Sequence, residues 1–398
     1  MNVLAPPGEL FQTIIKPDSM LFTPARLLLK QAPLVIFLLT FFSASSFAQQ
    51  GKETENVFLI TLDGFRWQEL FTGADPQLIT NADYVNDTTE LKELFWRDTP
   101  EARKETLMPF FTNVIAQQGQ LYGNRTEGSN ANLTNKFWFS YPGYNEILTG
   151  YGDERIDSND KKPNPNHIVL EFINQQAGFE GKVAAFASWD VFPYIINEER
   201  SGIPVNAGYD TAEDASLSAM EEALNTLQPQ VPGHWSTVRM DAFTHHYALE
   251  YVKKNKPRVL YIAYGETDDF AHDGKYDEYL KAAHRTDNFI QKLWNYAQSD
   301  EQYQGKTTFI ITTDHGRGTE PLDTWRNHGD EVSDAGGVWM AIMGPDTASG
   351  QEVSVEGEYF SNQIAPTLAA FLKLNYAPDH QIGQPLGKAF SDTVAKTK

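Results

Sequence analysis

Hydrophobic runs of strand length recur along the chain, and amphipathic patterns separate them. Three runs rich in branched residues predict buried strands, at 56–62 (NVFLITL), 258–264 (RVLYIAY) and 307–313 (TTFIITT). Two further strands are expected at 182–187 and 338–343. Because strands that alternate with helices form βαβ units, the pattern predicts an α/β fold. We expect a mostly parallel central sheet with helices on both faces.

Amphipathic segments with start and stop signals predict the helices between these strands. The predicted helices lie at 107–118, 144–148, 168–174, 212–227, 237–254, 276–297 and 363–372. No repeat and no Ser- or Pro-rich linker divides this series. We therefore expect one large domain over 51–398, with inserted loops at 70–105 and 190–235.

The segment 1–48 has the pattern of a secretion signal. Basic Arg26 and Lys30 precede an apolar run of 11 residues at 32–42, and the small-x-small triplet Ser46-Phe47-Ala48 follows. The run is shorter than the roughly 20 residues that a membrane-spanning helix needs. We expect a signal peptide cleaved near Ala48 and a periplasmic or secreted product without a stable membrane anchor. An uncleaved anchor is the alternative.

Composition narrows the chemistry. The 398 residues contain no cysteine, which excludes a thiolate metal site, a cysteine nucleophile and a disulfide framework. The chain has 32 basic and 53 acidic residues, a net charge of −21, so long nucleic acids are not expected as partners. A solvated acidic surface explains most of this excess, although divalent cations also bind carboxylates.

Acidic and imidazole side chains follow the three clearest strands. Asp63 follows the first strand, Asp268 and His272 follow the second, and Asp314-His315 follows the third. A further histidine, His328, precedes the strand at 338–343. One such carboxylate could be a helix cap, but the carboxyl ends of parallel strands meet at one edge of a sheet, which is where sites form. Oxygen and nitrogen ligands without sulfur suit zinc, and also manganese or iron.

The motifs around these residues occur in the order found in a known superfamily. They are LITLDGFRW, FSYPGYNEILTG, GETDDFAHDG, TTDHGRG and NHG. Over about 55–388 the chain resembles the alkaline phosphatase superfamily, and within it the nucleotide pyrophosphatase/phosphodiesterase branch. The resemblance implies two divalent metal ions, with zinc favoured. One ion would be held by Asp268, His272 and His328, and the other by Asp63, Asp314 and His315.

The resemblance also implies a nucleophile. The nucleophile of the superfamily precedes an aromatic-Pro pair and a short helix, and Ser140 stands before Tyr141-Pro142. Ser140 would contact the metal ions and form a phospho-seryl intermediate that water then hydrolyses. A bound metal ion lowers the pKa of a hydroxyl, and a helix N-terminus favours an anion. A helix cap is the alternative role for Ser140, with Thr134 and Ser129 as other nucleophile candidates.

The chain departs from the branch after the proline, where Gly143-Tyr144 replaces Asn-His. The branch also has an asparagine beyond the nucleophile that donates to a phosphate oxygen. Asn159 is the nearest match, with Asn164 next. Lys162 is a candidate phosphate contact that would favour monoesters over diesters. Tyr141 and Tyr144 are candidate substrate-binding residues because aromatic rings stack on nucleobases, aryl groups or lipid headgroups.

Together these features predict a two-metal phosphodiesterase acting on a small phosphoester. A phosphomonoesterase is the main alternative. A sulfatase is disfavoured because Ser140-Tyr141-Pro142-Gly143-Tyr144 lacks the arginine of the sulfatase signature. A phosphoglycerate-mutase-like enzyme conflicts with export. A non-catalytic binding protein conflicts with a complete set of chemically competent residues.

Overall fold

The computed structural model describes residues 53–391, except residues 214 and 355. The predicted signal peptide, 1–48, lies outside the described residues. The described chain belongs to one compact unit. No helix in this part of the chain is both long enough and apolar enough to cross a membrane.

The strands alternate with helices, as the hydrophobic pattern predicts. They are β1 (Asn56–Leu62), β2 (Gln120–Tyr122), β3 (Ser129–Asn132), β4 (Val183–Ala187), β5 (Val205–Ala207), β6 (Val259–Tyr264), β7 (Thr307–Thr312), β8 (Gly337–Val338), β9 (Met340–Met343), β10 (Gln351–Glu352) and β11 (Gly357–Phe360). Eight strands form one sheet in the order β10-β2-β9-β7-β1-β6-β4-β5, and β11-β3-β8 form a smaller sheet. From β7 to β5 all neighbours are parallel, whereas β9 is antiparallel to both of its neighbours. The predicted mostly parallel α/β sheet is therefore confirmed.

The helices cover both faces of this sheet. They are α1 (Trp67–Thr72), α2 (Thr88–Phe95), α3 (Pro100–Leu107), α4 (Ala116–Gln118), α5 (Ser140–Thr149), α6 (Val169–Asn174), α7 (Phe192–Ile195), α8 (Glu198–Ser201), α9 (Ala219–Leu227), α10 (Asp241–Asn255), α11 (Glu266–His272), α12 (Tyr276–Ser299) and α13 (Ile364–Phe371). A π-helical segment, Phe111–Ile115, leads into α4.

Two hydrophobic cores lie on opposite faces of the sheet, and β1 contributes to both. Phe58 and Ile60 belong to the core that includes Leu280 of α12. The alternate residues Val57 and Leu59 belong to the core that includes α5, α6 and α13. Every residue of β1 is buried. A central strand covered on both faces must be apolar at every position, which explains the continuous run NVFLITL.

Some predicted boundaries were wrong. The helix expected at 212–227 begins at Ala219 because Ser218 and Glu221 form a capping box there. The strand expected at 338–343 divides at Trp339 into β8 and β9, which belong to different sheets. The short strands β3 and β5 were not predicted, since they are too short to show alternation.

Candidate metal and catalytic site

Three adjacent strands bring most of the predicted metal ligands to one edge of the sheet. β1 lies between β7 and β6. Asp63 directly follows β1, and Asp314-His315 follows β7. After β6 the chain enters α11, which carries Asp268 and His272 one helical turn apart. Residues far apart in sequence therefore meet where three parallel strands end.

The first cluster consists of Asp63, Asp314 and His315, all of them buried. His315 Nε2 lies 3.3 Å from Asp63 Oδ1 and 3.6 Å from Asp314 Oδ2. The other ring nitrogen of His315 is 2.9 Å from the carbonyl oxygen of Gly316. Since a carbonyl can only accept, Nδ1 donates to it, and Nε2 is the ring nitrogen that faces the two carboxylates.

The second cluster lies beside the first and shares His315 with it. His328 Nε2 is 3.7 Å from Asp268 Oδ1, and His315 Nε2 is also 3.7 Å from that oxygen. The exposed ring of His272 completes the predicted set, with Nε2 3.4 Å from Asp268 Oδ2 and 2.9 Å from His328 Nε2. The structure thus brings all six predicted ligands together, with His315 between the two clusters.

Unpartnered polar atoms show that these residues fit a bound cation. Asp63 Oδ1 and Asp314 Oδ2 are buried and have no hydrogen-bond partner among the described residues. Buried oxygens without a donor are costly unless another group binds them. The other oxygen of each carboxylate is occupied, Asp63 Oδ2 by the hydroxyl of Tyr144 and Asp314 Oδ1 by the N–H of Gly64. The free oxygens are the ones that face His315.

The electrostatics of the site favour a positive ion. Burial, and then the charge of Asp268, raises the pKa of Asp63 well above its usual range. Burial and the neighbouring Asp63 do the same to the pKa of Asp314. Two carboxyl groups that cannot both ionise comfortably become stable anions when a divalent cation binds between them. Burial, with His315, holds the pKa of His328 well below its usual value, which keeps its ring in the neutral, metal-binding form.

Ser140 is the first residue of α5 and lies beside the clusters. Its Oγ is 3.4 Å from His315 Nε2, and the residue is buried. Asn159 lies next to it, because Asn159 Oδ1 accepts a 3.0 Å hydrogen bond from the N–H of Tyr141. The predicted nucleophile and the predicted phosphate-binding amide are therefore neighbours at one helix N-terminus, where an anion is favoured.

Gly143 allows α5 to lie in contact with the backbone of Asp314, a candidate metal ligand. A Cβ atom on Gly143 would stand 2.2 Å from the carbonyl oxygen of Asp314 and 2.9 Å from its carbonyl carbon. The backbone of α5 thus rests directly on the Asp314-His315 turn. This contact leaves no room for a side chain at position 143.

The predicted substrate-binding residues have partners within the protein. Tyr141 is buried, and its hydroxyl donates to the carbonyl oxygens of Lys162 (2.7 Å) and Tyr194 (3.1 Å). Tyr144 is also buried, and its hydroxyl donates to Asp63 Oδ2 over 2.7 Å. The ammonium group of Lys162 forms an exposed ion pair with Asp160 at 2.7 Å. Contact of these three residues with a substrate stays a prediction.

Arg317 is a part of the site that the sequence did not single out. Its buried guanidinium forms an ion pair with Asp268 and donates to the carbonyl oxygens of Gly64 (3.1 Å) and Arg326 (2.7 Å). Burial alone would raise the pKa of Asp268, but Arg317 and then His272 outweigh burial and hold that pKa well below its usual value. An arginine directly after the apolar strand and the Asp-His-Gly turn is the only sequence signal for this role.

Asp241 is a second unpredicted residue, and it supports α11 from its N-terminal end. Its buried carboxylate accepts from the N–H groups of Gly265 (2.8 Å) and Glu266 (3.1 Å). These groups begin the helix that carries Asp268 and His272, and an acceptor placed there stabilises a helix. Nothing in the local pattern around residue 241 reveals this contact, which spans 24 residues of sequence.

Solved structures share the fold of this chain. Alkaline phosphatase PafA is 11% identical, with a TM-score of 0.52 over 85% of this chain and 99% of that chain. The structure named Ps i-CgsB is 15% identical, with a TM-score of 0.51 over 84% and 75% of the two chains. BT1596, a 2-O GAG sulfatase, is 11% identical, with a TM-score of 0.51 over 85% and 73%. At such low identity these similarities establish the fold alone.

Sequence comparison identifies the family. No curated protein matches the chain. The family model for type I phosphodiesterase / nucleotide pyrophosphatase matches residues 80–356, more than half of the chain. The resemblance inferred from the motifs is therefore confirmed. The chain has the alkaline-phosphatase-like fold and is a hydrolase of phosphoester or sulfate ester bonds. It belongs to the type I phosphodiesterase / nucleotide pyrophosphatase family.

Proposed function

We propose that the protein is a two-metal phosphodiesterase that acts through a phospho-seryl intermediate on Ser140. One observation carries the proposal. The Ser140 hydroxyl lies 3.4 Å from His315 Nε2, the nitrogen shared by two clusters of metal-binding side chains. A hydroxyl beside two clusters of candidate metal ligands, one of which has unpartnered carboxylate oxygens, suits nucleophilic attack on a phosphate diester.

Two divalent cations, with zinc favoured, fit the side chains present. Asp63, Asp314 and His315 would hold one ion, and Asp268, His272 and His328 the other, with His315 close enough to the second cluster to contact either. When bound, such ions polarise phosphoryl oxygens and lower the pKa of a coordinated hydroxyl or water. The absence of sulfur ligands and the mixture of carboxylate and imidazole are consistent with zinc.

Ser140 supplies the nucleophile. Its Oγ forms a bond to phosphorus and releases its proton to solvent, while the bond from phosphorus to the leaving-group oxygen breaks and that oxygen takes up a proton. Water then attacks the phospho-seryl group, which restores the hydroxyl and releases the phosphate monoester. The N-terminus of α5 faces the charge that develops on the phosphoryl oxygens, and the amide group of Asn159 stands beside it.

The lysines near the site support a diester as the preferred substrate. Lys161 pairs with Asp190 at 2.7 Å, and Lys162 pairs with Asp160 at 2.7 Å. A monoester dianion carries one more negative charge than a diester, and it would benefit from a free cation near the phosphate. Since both lysines have carboxylate partners, neither is a free cation for the second charge. A phosphomonoesterase is the alternative.

The acidic net charge and the N-terminal sequence pattern support a small phosphoester substrate outside the cytoplasm. The net charge of −21 opposes long polyanions, so we do not propose nucleic acid as a partner. The segment 1–48 supports export by its basic, apolar and small-residue pattern. The product would be periplasmic or secreted, and free of a membrane anchor after cleavage.

A paired assay tests the function. The purified protein lacking 1–48 is given bis-p-nitrophenyl phosphate, p-nitrophenyl phosphate and p-nitrophenyl sulfate, with added zinc and after chelation. We expect the highest kcat/KM on the diester and loss of that activity on chelation. A higher kcat/KM on the monoester would replace this proposal with a phosphatase, and one on the sulfate would replace it with a sulfatase.

A further inference from the structure

The two oxygens of Asp63 have different surroundings. Oδ2 accepts a 2.7 Å hydrogen bond from the hydroxyl of Tyr144. Oδ1 is buried, has no hydrogen-bond partner among the described residues, and lies 3.3 Å from His315 Nε2. The tyrosine therefore occupies one oxygen and leaves the other facing the cluster.

Packing holds Tyr144 in this position. Its side chain is 1% exposed and belongs to the core on the α5 face of the sheet. Its ring meets Phe192 edge to face with the centroids 4.8 Å apart. Because the ring is surrounded, the hydroxyl cannot rotate away from Asp63 without disturbing the core. The packing of the folded chain therefore holds the hydrogen bond from Tyr144 to Asp63 in place.

Asp314 is held in the same way by a different donor. The N–H of Gly64 occupies Asp314 Oδ1 at 3.1 Å, and Oδ2 remains without a partner. With His315 Nε2, this cluster therefore presents three single atoms to a ligand. Zinc binds few ligands and commonly takes one oxygen from a carboxylate, whereas calcium has a high coordination number and often takes both.

We propose that Tyr144 is a positioning residue that restricts Asp63 to one coordinating oxygen, and that it thereby favours Zn²⁺ over Ca²⁺ and Mn²⁺ at the cluster of Asp63, Asp314 and His315. The inference rests on the metal ions of the proposed function. It goes beyond that function by naming the residue that sets the metal preference.

Metal binding by the chelated full domain tests the proposal. Tyr144→Phe keeps the ring and removes the hydroxyl. We expect the affinity for Zn²⁺ at one of the two positions to fall about 10- to 100-fold, the usual cost of losing such a hydrogen bond. The affinity for Ca²⁺ or Mn²⁺ should fall less, so that the ratio of Zn²⁺ to Ca²⁺ affinity decreases. Titration calorimetry with each metal alone measures these ratios without any substrate.

A second variant separates hydrogen bonding from packing. Tyr261→Phe is the matched control, because Tyr261 is fully buried, its ring also packs on Phe192, and its hydroxyl lies 3.2 Å from Thr61 Oγ1. It should keep the wild-type metal affinities. A role for Tyr144 in packing alone predicts that the two variants change the metal affinities alike.

Unchanged Zn²⁺ and Ca²⁺ affinities in Tyr144→Phe would overturn the proposal, as would an equal loss of Zn²⁺ affinity in Tyr261→Phe. These outcomes are independent of the reaction catalysed. If the wild type bound zinc but failed to hydrolyse diesters, the proposed function would fall while the role of Tyr144 could still be decided.

Discussion

Ser140 Oγ and His315 Nε2 lie 3.4 Å apart, although 175 residues separate them in sequence. α5 supplies the first and the turn after β7 supplies the second, so the distance depends on how α5 packs against the end of the sheet. This contact places the proposed nucleophile beside the atom shared by both clusters of candidate metal ligands. The chemistry we propose depends on this contact.

Removal of the Ser140 hydroxyl should stop turnover and leave the rest of the site intact. We expect Ser140→Ala to lower kcat on the diester by about 10³-fold or more, since a nucleophile cannot be replaced by its neighbours. Zinc content and thermal unfolding should stay near wild type. Ser299→Ala, at an exposed helix end, is the control. A wild-type rate in Ser140→Ala would remove Ser140 as the nucleophile.

Loss of a metal ligand should change metal content as well as rate. Asp63→Ala and His328→Ala each remove a residue from a different cluster. We expect each variant to retain fewer zinc ions per chain by elemental analysis and to lose activity. His167→Ala, which removes an exposed imidazole paired with Glu171, should retain the full content. Wild-type zinc content in either ligand variant would exclude that residue from the ligand set.

A single methyl group should separate α5 from the metal ligands. In Gly143→Ala the new Cβ would stand 2.2 Å from the Asp314 carbonyl oxygen, so the two backbones must move apart. We expect a fall in kcat of about 100-fold, as for a shift of about 1 Å at a reacting group. Stability should fall by about 1–3 kcal/mol, the typical cost of overpacking. Gly387→Ala, where a Cβ meets nothing within 4 Å, should match wild type. Full activity in Gly143→Ala would show that the close contact is dispensable.

The stability of the fold should depend on the ionisation of Asp287. This buried carboxylate accepts from the N–H groups of Phe110 (2.8 Å) and Phe111 (2.9 Å), and burial raises its pKa to about 7. Between the ordinary pKa of aspartate, about 4, and pH 7, the folded state holds a proton that the unfolded state releases. The resulting stability is full at low pH and is lost as the pH rises through 7.

Asparagine at position 287 cannot ionise, so the Asp287→Asn variant should lack this pH dependence of stability. We expect the free energy of unfolding of wild type, relative to Asp287→Asn, to fall by up to about 1.4 kcal/mol per pH unit from pH 4 to 7. Urea unfolding at several pH values measures it. Parallel pH profiles for the two proteins would contradict the raised pKa.

The sequence predicted the sheet and the ligand clusters because their signals are local. β1, β6 and β7 are continuous apolar runs, and a residue at the end of such a run lies at the sheet edge whatever the packing of the helices. The motif order then identified the family. Neither step required knowledge of side-chain contacts.

The contacts between elements could not be predicted in this way. The hydroxyl of Tyr144 bonds to Asp63 across 81 residues of sequence, and Arg317 reaches Asp268 across 49. Such pairs depend on how α5 and the turn after β7 pack, which hydrophobic periodicity does not encode. For the same reason the aromatic character of Tyr144 suggested stacking on a substrate, whereas its hydroxyl bonds to a metal-ligand candidate.

The most direct test of the mechanism is mass spectrometry of the enzyme quenched during turnover of a diester. We expect Ser140 in the zinc-loaded wild type to carry the phosphoryl group of the substrate together with its remaining ester group, and no such adduct in Ser140→Ala or after chelation. Active enzyme that carries the phosphoryl group on another residue, or on none throughout turnover, would contradict covalent catalysis by Ser140.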